Sequence, residues 1–244
     1  MINNKINLFL LISIGLNILL LSLNLFLAKT YGLLSPIKSY LPDIFKKIDS
    51  GYSVYYVHKK SQFELLVKSE NTVIFLGDSI TDEGEWTELL GKSYAKNRGI
   101  SGDTTVGILN RLPEIIESKP RQIFMMIGIN DLNNQGKSIN QTLTDYQNIL
   151  IELKNQTPNT EVFIQSVLPV NNKISRYWQN NHNIIKFNLA LKELAQQYKY
   201  QYIDIFSHLA DSEHQLEDQY TLDGLHLNGQ GYLVWKKVIE KYVE

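Results

Sequence analysis

A serine, a histidine and a carboxylate stand in this chain where a single reaction could use all three. Ser79 ends the tripeptide Gly77-Asp78-Ser79, at the point where the run Thr72-Val73-Ile74-Phe75-Leu76 gives way to a polar turn. His226 ends Asp223-Gly224-Leu225-His226, and Asp223 precedes it by three residues, so one tight loop can present both side chains. These groups suit nucleophilic acyl transfer: the hydroxyl attacks a carbonyl carbon, the imidazole takes its proton and returns it to the leaving alcohol, and the carboxylate orients the imidazole. The tetrahedral intermediate also needs donors for its oxyanion. Three candidates are the backbone N–H of Ser79, the side-chain amide of Asn130, and the backbone N–H of Gly102, which carries no Cβ to keep a substrate away.

Residues so distant in sequence meet only if the fold gathers them. After residue 70 the chain alternates between strand-like and helix-like stretches. Strands are expected at 72–76, 94–97, 122–127, 162–166 and 202–205. Helical spacing appears at 59–69, 86–90, 104–112, 143–155 and 184–198, with Pro113 closing or kinking the third of these, and Asn228 can cap a last helix. Such alternation implies a three-layer α/β/α sandwich with about five parallel strands. In a parallel sheet the carboxyl ends of all strands lie on one edge, where open α/β sheets place their sites. The clusters at 77–79, 97–103 and 128–131 each follow an expected strand, and 223–226 precedes the last helix, so all four can converge there. Asp78, Asp103 and Asp131 are assigned to turn architecture, because aspartate side chains bind nearby backbone N–H groups. Arg176-Tyr177-Trp178 reads either as a wall or lid over the substrate or as an exposed loop packed by its own aromatics.

Gly77-Asp78-Ser79, Gly102, Gly128-x-Asn130-Asp131 and Asp223-x-x-His226 occur in the order found in the SGNH, or GDSL, hydrolases, and the chain resembles that family from about residue 72 to 243. The run Gly99-Ile100-Ser101-Gly102-Asp103-Thr104-Thr105 with Arg111-Leu112 is similar to its platelet-activating-factor acetylhydrolase-like branch. The resemblance implies a flavodoxin-like sheet and metal-free ester hydrolysis, with Ser79, Gly102, Asn130 and His226 as the name-giving residues and Asp223 completing a triad. No cofactor or metal is expected.

Composition excludes other classes. The 244 residues carry a formal net charge of −1, and 20 of the 24 basic residues are lysine, so no arginine-rich surface for nucleic acid is expected. There is no cysteine, hence no disulfide, thiolate nucleophile or cysteine-bound metal. His58, His182, His208 and His214 show no ligand spacing. Residues 8–28 are almost wholly apolar and uncharged, close to the roughly 20 residues that cross a bilayer as a helix. They are read as a membrane anchor that holds the catalytic domain outside the cytoplasm; the alternative is a signal peptide cleaved to release a secreted protein. The organisation expected is an anchor at 1–30, a stalk and lead-in helices at 31–69, and a hydrolase domain at 70–244.

The function expected is a serine esterase acting on short acyl esters of a small molecule, glycan or lipid. A lysophospholipase or an O-acyltransferase could use the same triad, the latter by discharging the acyl-enzyme to another alcohol. A metallophosphatase would need an Asp-x-His before Gly77, and the chain has none; a non-catalytic binding module would not need the full set of reactive groups. The absence of Gly-x-Ser-x-Gly argues against an α/β-hydrolase of the lipase kind.

Overall fold

Two strands at the centre of the fold, β1 (Val73–Gly77) and β3 (Gln122–Met126), are buried from end to end, as strands covered on both faces must be. β2 (Ala95–Gly99), β4 (Glu161–Gln165) and β5 (Gln201–Ile203) complete a sheet of order β2-β1-β3-β4-β5 in which every pairing is parallel. This computed structural model describes residues 51–133, 136–174 and 179–244, together with Asn17 and Leu20. All the elements named here belong to one unit, Ser53–Glu244. The residues expected to form the anchor, 8–28, lie outside the described residues apart from Asn17 and Leu20. Among the described residues no helix is long and apolar enough to cross a membrane.

The helices are α1 (Val54–Leu65), α2 (Ser79–Asp82), α3 (Trp86–Leu90), α4 (Thr105–Ser118), α5 (Ile129–Asn133), α6 (Ile139–Gln156), α7 (Asn181–Tyr198), α8 (Phe206–Leu209) and α9 (Gly229–Ile239). The chain leaves β1 in one direction to form β2, then reverses to add β3, β4 and β5 on the other side. Right-handed crossovers therefore put helices on both faces. One layer is α1 on α4, α4 on α6 and α6 on α7; the other gathers α3 and α8 on α9. The expected three-layer sandwich is present.

Register lines up aromatic rings across the second face. Phe75 pairs with Phe124 and Phe124 with Phe163, with ring centroids 5.1 and 4.4 Å apart. Trp86 of α3 stacks on Phe75 at 4.1 Å and meets Trp235 of α9 edge-on at 4.7 Å. Each such ring contributes about 1.5–3 kcal/mol by leaving water, and each favourable pair roughly 1 kcal/mol more.

Three elements differ from expectation. β2 extends to Gly99, so Arg98 and Gly99 lie within the strand rather than in the loop after it; β2 is an edge strand, and Asn97 satisfies its amide on the carbonyls of Thr81, Asp82 and Gly84. α4 continues beyond Pro113 to Ser118, so the proline does not close it: buried Ile108, Leu112 and Ile115 keep one apolar face packed across it, outweighing the lost hydrogen bond. α1 starts at Val54, capped by the Ser53 hydroxyl, and ends at Leu65.

Candidate active site

β1 ends at Gly77 because nothing larger fits there: a Cβ would stand 2.2 Å from Thr81 Oγ1 and 2.4 Å from the Met126 carbonyl. Asp78 then caps α2, its Oδ1 accepting the Ile80 N–H at 3.1 Å. Ser79 is thus the first residue of a helix at the carboxyl edge of the sheet, half-buried, beside the β1–β3 boundary where the strand order reverses.

The loop before α9 brings in the partners. His226 Nε2 lies 2.9 Å from Ser79 Oγ, and His226 Nδ1 lies 2.7 Å from Asp223 Oδ2. With Nδ1–H donated to the carboxylate, Nε2 presents its lone pair to the serine hydroxyl. Asp223 Oδ1 accepts the N–H groups of Leu225 and His226, each at 2.8 Å, so the carboxylate shapes its own loop. Burial raises its pKa, but the hydrogen bonds from the His226 ring and from these two N–H groups outweigh burial and hold it below the ordinary carboxylate range. Asn171, just after β4 and almost fully buried, braces this loop: its N–H donates to the Gly224 carbonyl at 2.8 Å, and its amide donates to the Leu216 carbonyl and to Asp218. Sequence reasoning missed Asn171, since one polar residue after a strand carries no local signal of distant partners. α9 begins as expected, with Asn228 accepting from the N–H groups of Gln230 and Gly231.

The oxyanion candidates stand on neighbouring loops. Register aligns Gly77 with Gly99 on one side and Met126 on the other, so the segments leading to Ser79, Gly102 and Asn130 leave the sheet at one level. The Ile100 N–H donates to the Gly77 carbonyl at 3.1 Å. Gly102 is exposed and adopts φ +79°, a conformation that favours glycine. Asn130, on α5, donates from Nδ2 to the Asp103 carbonyl at 2.9 Å, which ties its amide to the Gly102 loop.

The three aspartates hold turns. Asp103 accepts the Thr104 N–H at 2.8 Å and Arg111 Nε at 2.8 Å, while Arg111 Nη2 reaches the Gly77 carbonyl at 3.1 Å. Asp131 accepts the Thr105 N–H at 2.9 Å and hydroxyl at 2.6 Å, and pairs with Lys137 at 3.0 Å. Burial raises the carboxyl of Asp103, and pushes that of Asp78 up to about 7. Arg176, Tyr177 and Trp178, the expected wall or lid, lie outside the described residues. Among the described residues no group of three or more His, Cys, Asp or Glu side chains is placed to hold a metal ion.

Residues 75–234 match the profile of the GDSL-like Lipase/Acylhydrolase family, about two thirds of the chain. The chain belongs to that family. It is a GDSL-like carboxylic ester hydrolase. Platelet-activating factor acetylhydrolase IB subunit alpha2 of Rattus norvegicus is 29% identical over 170 residues, spanning 67% of this chain and 72% of that protein. A solved structure from Streptococcus pneumonia, provisionally described as a platelet activating factor, superposes with a TM-score of 0.72 at 28% identity, covering 82% of this chain and 98% of that one. The acetylxylan esterase Axe2 of Geobacillus stearothermophilus shares the fold, with a TM-score of 0.59 at 18% identity over 72% of this chain and 95% of that one.

Proposed function

We propose that this GDSL-like hydrolase cleaves short acyl esters, acetyl esters above all, with Ser79 as nucleophile, His226 as general base and acid, and Asp223 orienting the imidazole. The observation that carries the reading is the unbroken chain from Ser79 Oγ to His226 Nε2 at 2.9 Å and from His226 Nδ1 to Asp223 Oδ2 at 2.7 Å. Ser79 Oγ bonds to the carbonyl carbon as its proton passes to His226 Nε2. The oxyanion is held by the N–H groups of Ser79 and Gly102 and by Asn130 Nδ2. The imidazolium protonates the departing alcohol, leaving Ser79 acylated. Water then repeats the sequence and releases the acid.

Short chains are favoured by the company the protein keeps. Two of its relatives are named for acetyl esters, one an acetylhydrolase and one an acetylxylan esterase. Residues 8–28 serve as a membrane anchor in this reading; the uncharged apolar stretch supports the anchor, and deleting 1–30 should release the protein from the membrane fraction. The chemistry is tested by Ser79→Ala, which should remove essentially all hydrolysis of p-nitrophenyl acetate while leaving the fold intact. Retention of more than a few per cent of activity by purified, folded Ser79→Ala would require another nucleophile. A series of p-nitrophenyl esters tests the chain length, and a preference for acyl groups beyond about eight carbons would overturn the short-acyl reading while leaving the nucleophile in place.

A further inference from the structure

α1 precedes the residues that match the family profile, yet it reaches the site. The point of contact is Asp82, the last residue of α2 and three positions after Ser79, with a side chain only 6% exposed. Asp82 Oδ2 accepts the Ser101 N–H at 3.1 Å, the Ser101 hydroxyl at 2.8 Å and the Tyr55 hydroxyl at 2.7 Å. Its Oδ1 lies 3.0 Å from Lys59 Nζ. Tyr55 and Lys59 are four residues apart on α1 and so share one face of that helix. Ser101 is the residue before Gly102.

We propose that Asp82 is a positioning residue that fixes the Gly102 N–H relative to the nucleophile, and that α1 holds Asp82 in place through Tyr55 and Lys59. This rests on the reading above, in which Ser79 attacks and Gly102 donates to the oxyanion. The two donors come from different loops, and an oxyanion hole works only when their spacing is set before the reaction. Gly102 does not set it by packing: it is exposed, and among the described residues no heavy atom beyond its chain neighbours lies within 4 Å of where its Cβ would be. Lower down, the two segments are already locked. A Cβ on Gly99 would stand 2.1 Å from the Asp82 nitrogen, and Asn97 Nδ2 donates to the carbonyls of Thr81, Asp82 and Gly84. The Asp82 carboxylate carries that lock up to the rim through both donors of Ser101.

Charge explains why α1 takes part. A lone carboxylate at this rim would repel the negative charge that develops on the substrate, and would be drawn towards water and away from Ser101. The Lys59 ammonium compensates the charge, and the Tyr55 hydroxyl takes a share of the oxygen that binds Ser101. With α1 docked, the carboxylate serves as a neutralised bracket. Nothing in this arrangement touches the substrate, so its effect is confined to the geometry of the transition state.

Asp82→Asn tests this, because it keeps the shape but offers one acceptor oxygen and an NH2 group where four donors now point. On p-nitrophenyl acetate, kcat per active site should fall about 10–100-fold, with KM within about twofold of wild type, the signature of an interaction realised only in the transition state. Sites are counted by titration with a serine-directed phosphonate, so a merely unfolded fraction lowers the titre and not kcat. The acid limb of the kcat/KM profile should keep its midpoint, because the His226–Asp223 pair is untouched. The double variant Tyr55→Phe/Lys59→Met should show the same split at about threefold to tenfold, and it carries the test if Asp82→Asn does not fold. Wild-type kcat per titrated site in the folded variants overturns the proposal. If Ser79→Ala is inactive in the same assay, the reading of Ser79 as nucleophile survives that result; if Ser79→Ala is active, that reading itself fails.

Discussion

Asp78 offers a test in which sign and size both follow from its surroundings. The side chain is 1% exposed, and its one placed hydrogen bond is from the Ile80 N–H to Oδ1. Burial pushes its pKa from the ordinary 3.8 up to about 7, and nearby Asp103 adds to the rise. The folded state therefore keeps a proton between pH 4 and 7 that the unfolded state has lost. Since the native state binds more protons over that window, stability falls as pH rises through it, the opposite of a salt-bridged carboxylate. The full displacement is worth on the order of 4 kcal/mol at 1.36 kcal/mol per pH unit, with about 3 kcal/mol of it lost between pH 5 and pH 8. Asp78→Asn keeps an oxygen for the Ile80 N–H, and asparagine caps helices as well as aspartate does, but it cannot ionise. Urea unfolding of both proteins at pH 5 and pH 8 isolates the effect, since other titrating groups are common to the two. The asparagine variant should gain about 3 kcal/mol relative to wild type on going from pH 5 to pH 8. Parallel pH dependences would refute the reasoning, for they would mean that Asp78 is ionised, and stabilised as an ion, throughout.

Asn130→Ala should lower kcat by about 10²–10³, the usual cost of an oxyanion donor, and should destabilise by about 1 kcal/mol because the Asp103 carbonyl loses its partner; an unchanged kcat on an acetyl ester would remove Asn130 from that role. Gly77→Ala forces a methyl group to 2.2 Å from Thr81 Oγ1 and 2.4 Å from a carbonyl oxygen that cannot yield. It should cost about 3 kcal/mol or more, read as a melting temperature lower by roughly 6–12 °C; melting within about 2 °C of wild type would show that β1 can shift there at little cost.

The central strands were legible because parallel strands covered on both faces must be apolar throughout, and β1 and β3 are. Once they are placed, the meeting of Ser79, Asp223 and His226 follows from the rule that parallel strands end on one edge. The edge strand was harder. The expected strand at 94–97 stops short because Arg98 and Gly99 look like loop residues, and the three carbonyls that Asn97 serves show why β2 continues to Gly99. For α1 the helical spacing at 59–69 is only partly used: Phe63 packs, together with Tyr56, whereas Leu66 and Val67 lie beyond the helix end and are 47% and 92% exposed. Asp82, Asn171 and Arg111 were passed over as bracing residues for a shared reason. Each is a polar residue whose partners lie far along the chain, so periodicity cannot distinguish it from a solvated neighbour.

Arg111 matters because the site that, in the proposed reaction, stabilises a negative charge is floored by three carboxylates. Asp78, Asp103 and Asp131 are all almost fully buried near the ends of the strands that present Ser79, Gly102 and Asn130. A bare charge about 6 Å from the oxyanion, at an effective dielectric constant of about 20, would oppose it by about 3 kcal/mol, as much as a lost donor costs. Each carboxylate is met in its own way: Asp103 by the Arg111 guanidinium at 2.8 Å, Asp131 by the Lys137 ammonium at 3.0 Å, and Asp78 by a retained proton. The first two are met by ion pairs, whereas the third depends on a proton that is lost as pH rises past about 7. Loss of that proton adds a negative charge beneath the groups proposed to hold the oxyanion. The wild-type kcat on an acetyl ester should therefore sag on the alkaline side, and Asp78→Asn, which carries no charge to unmask, should hold a plateau there; a wild-type plateau as flat as the variant's would show that the floor and the oxyanion do not feel each other.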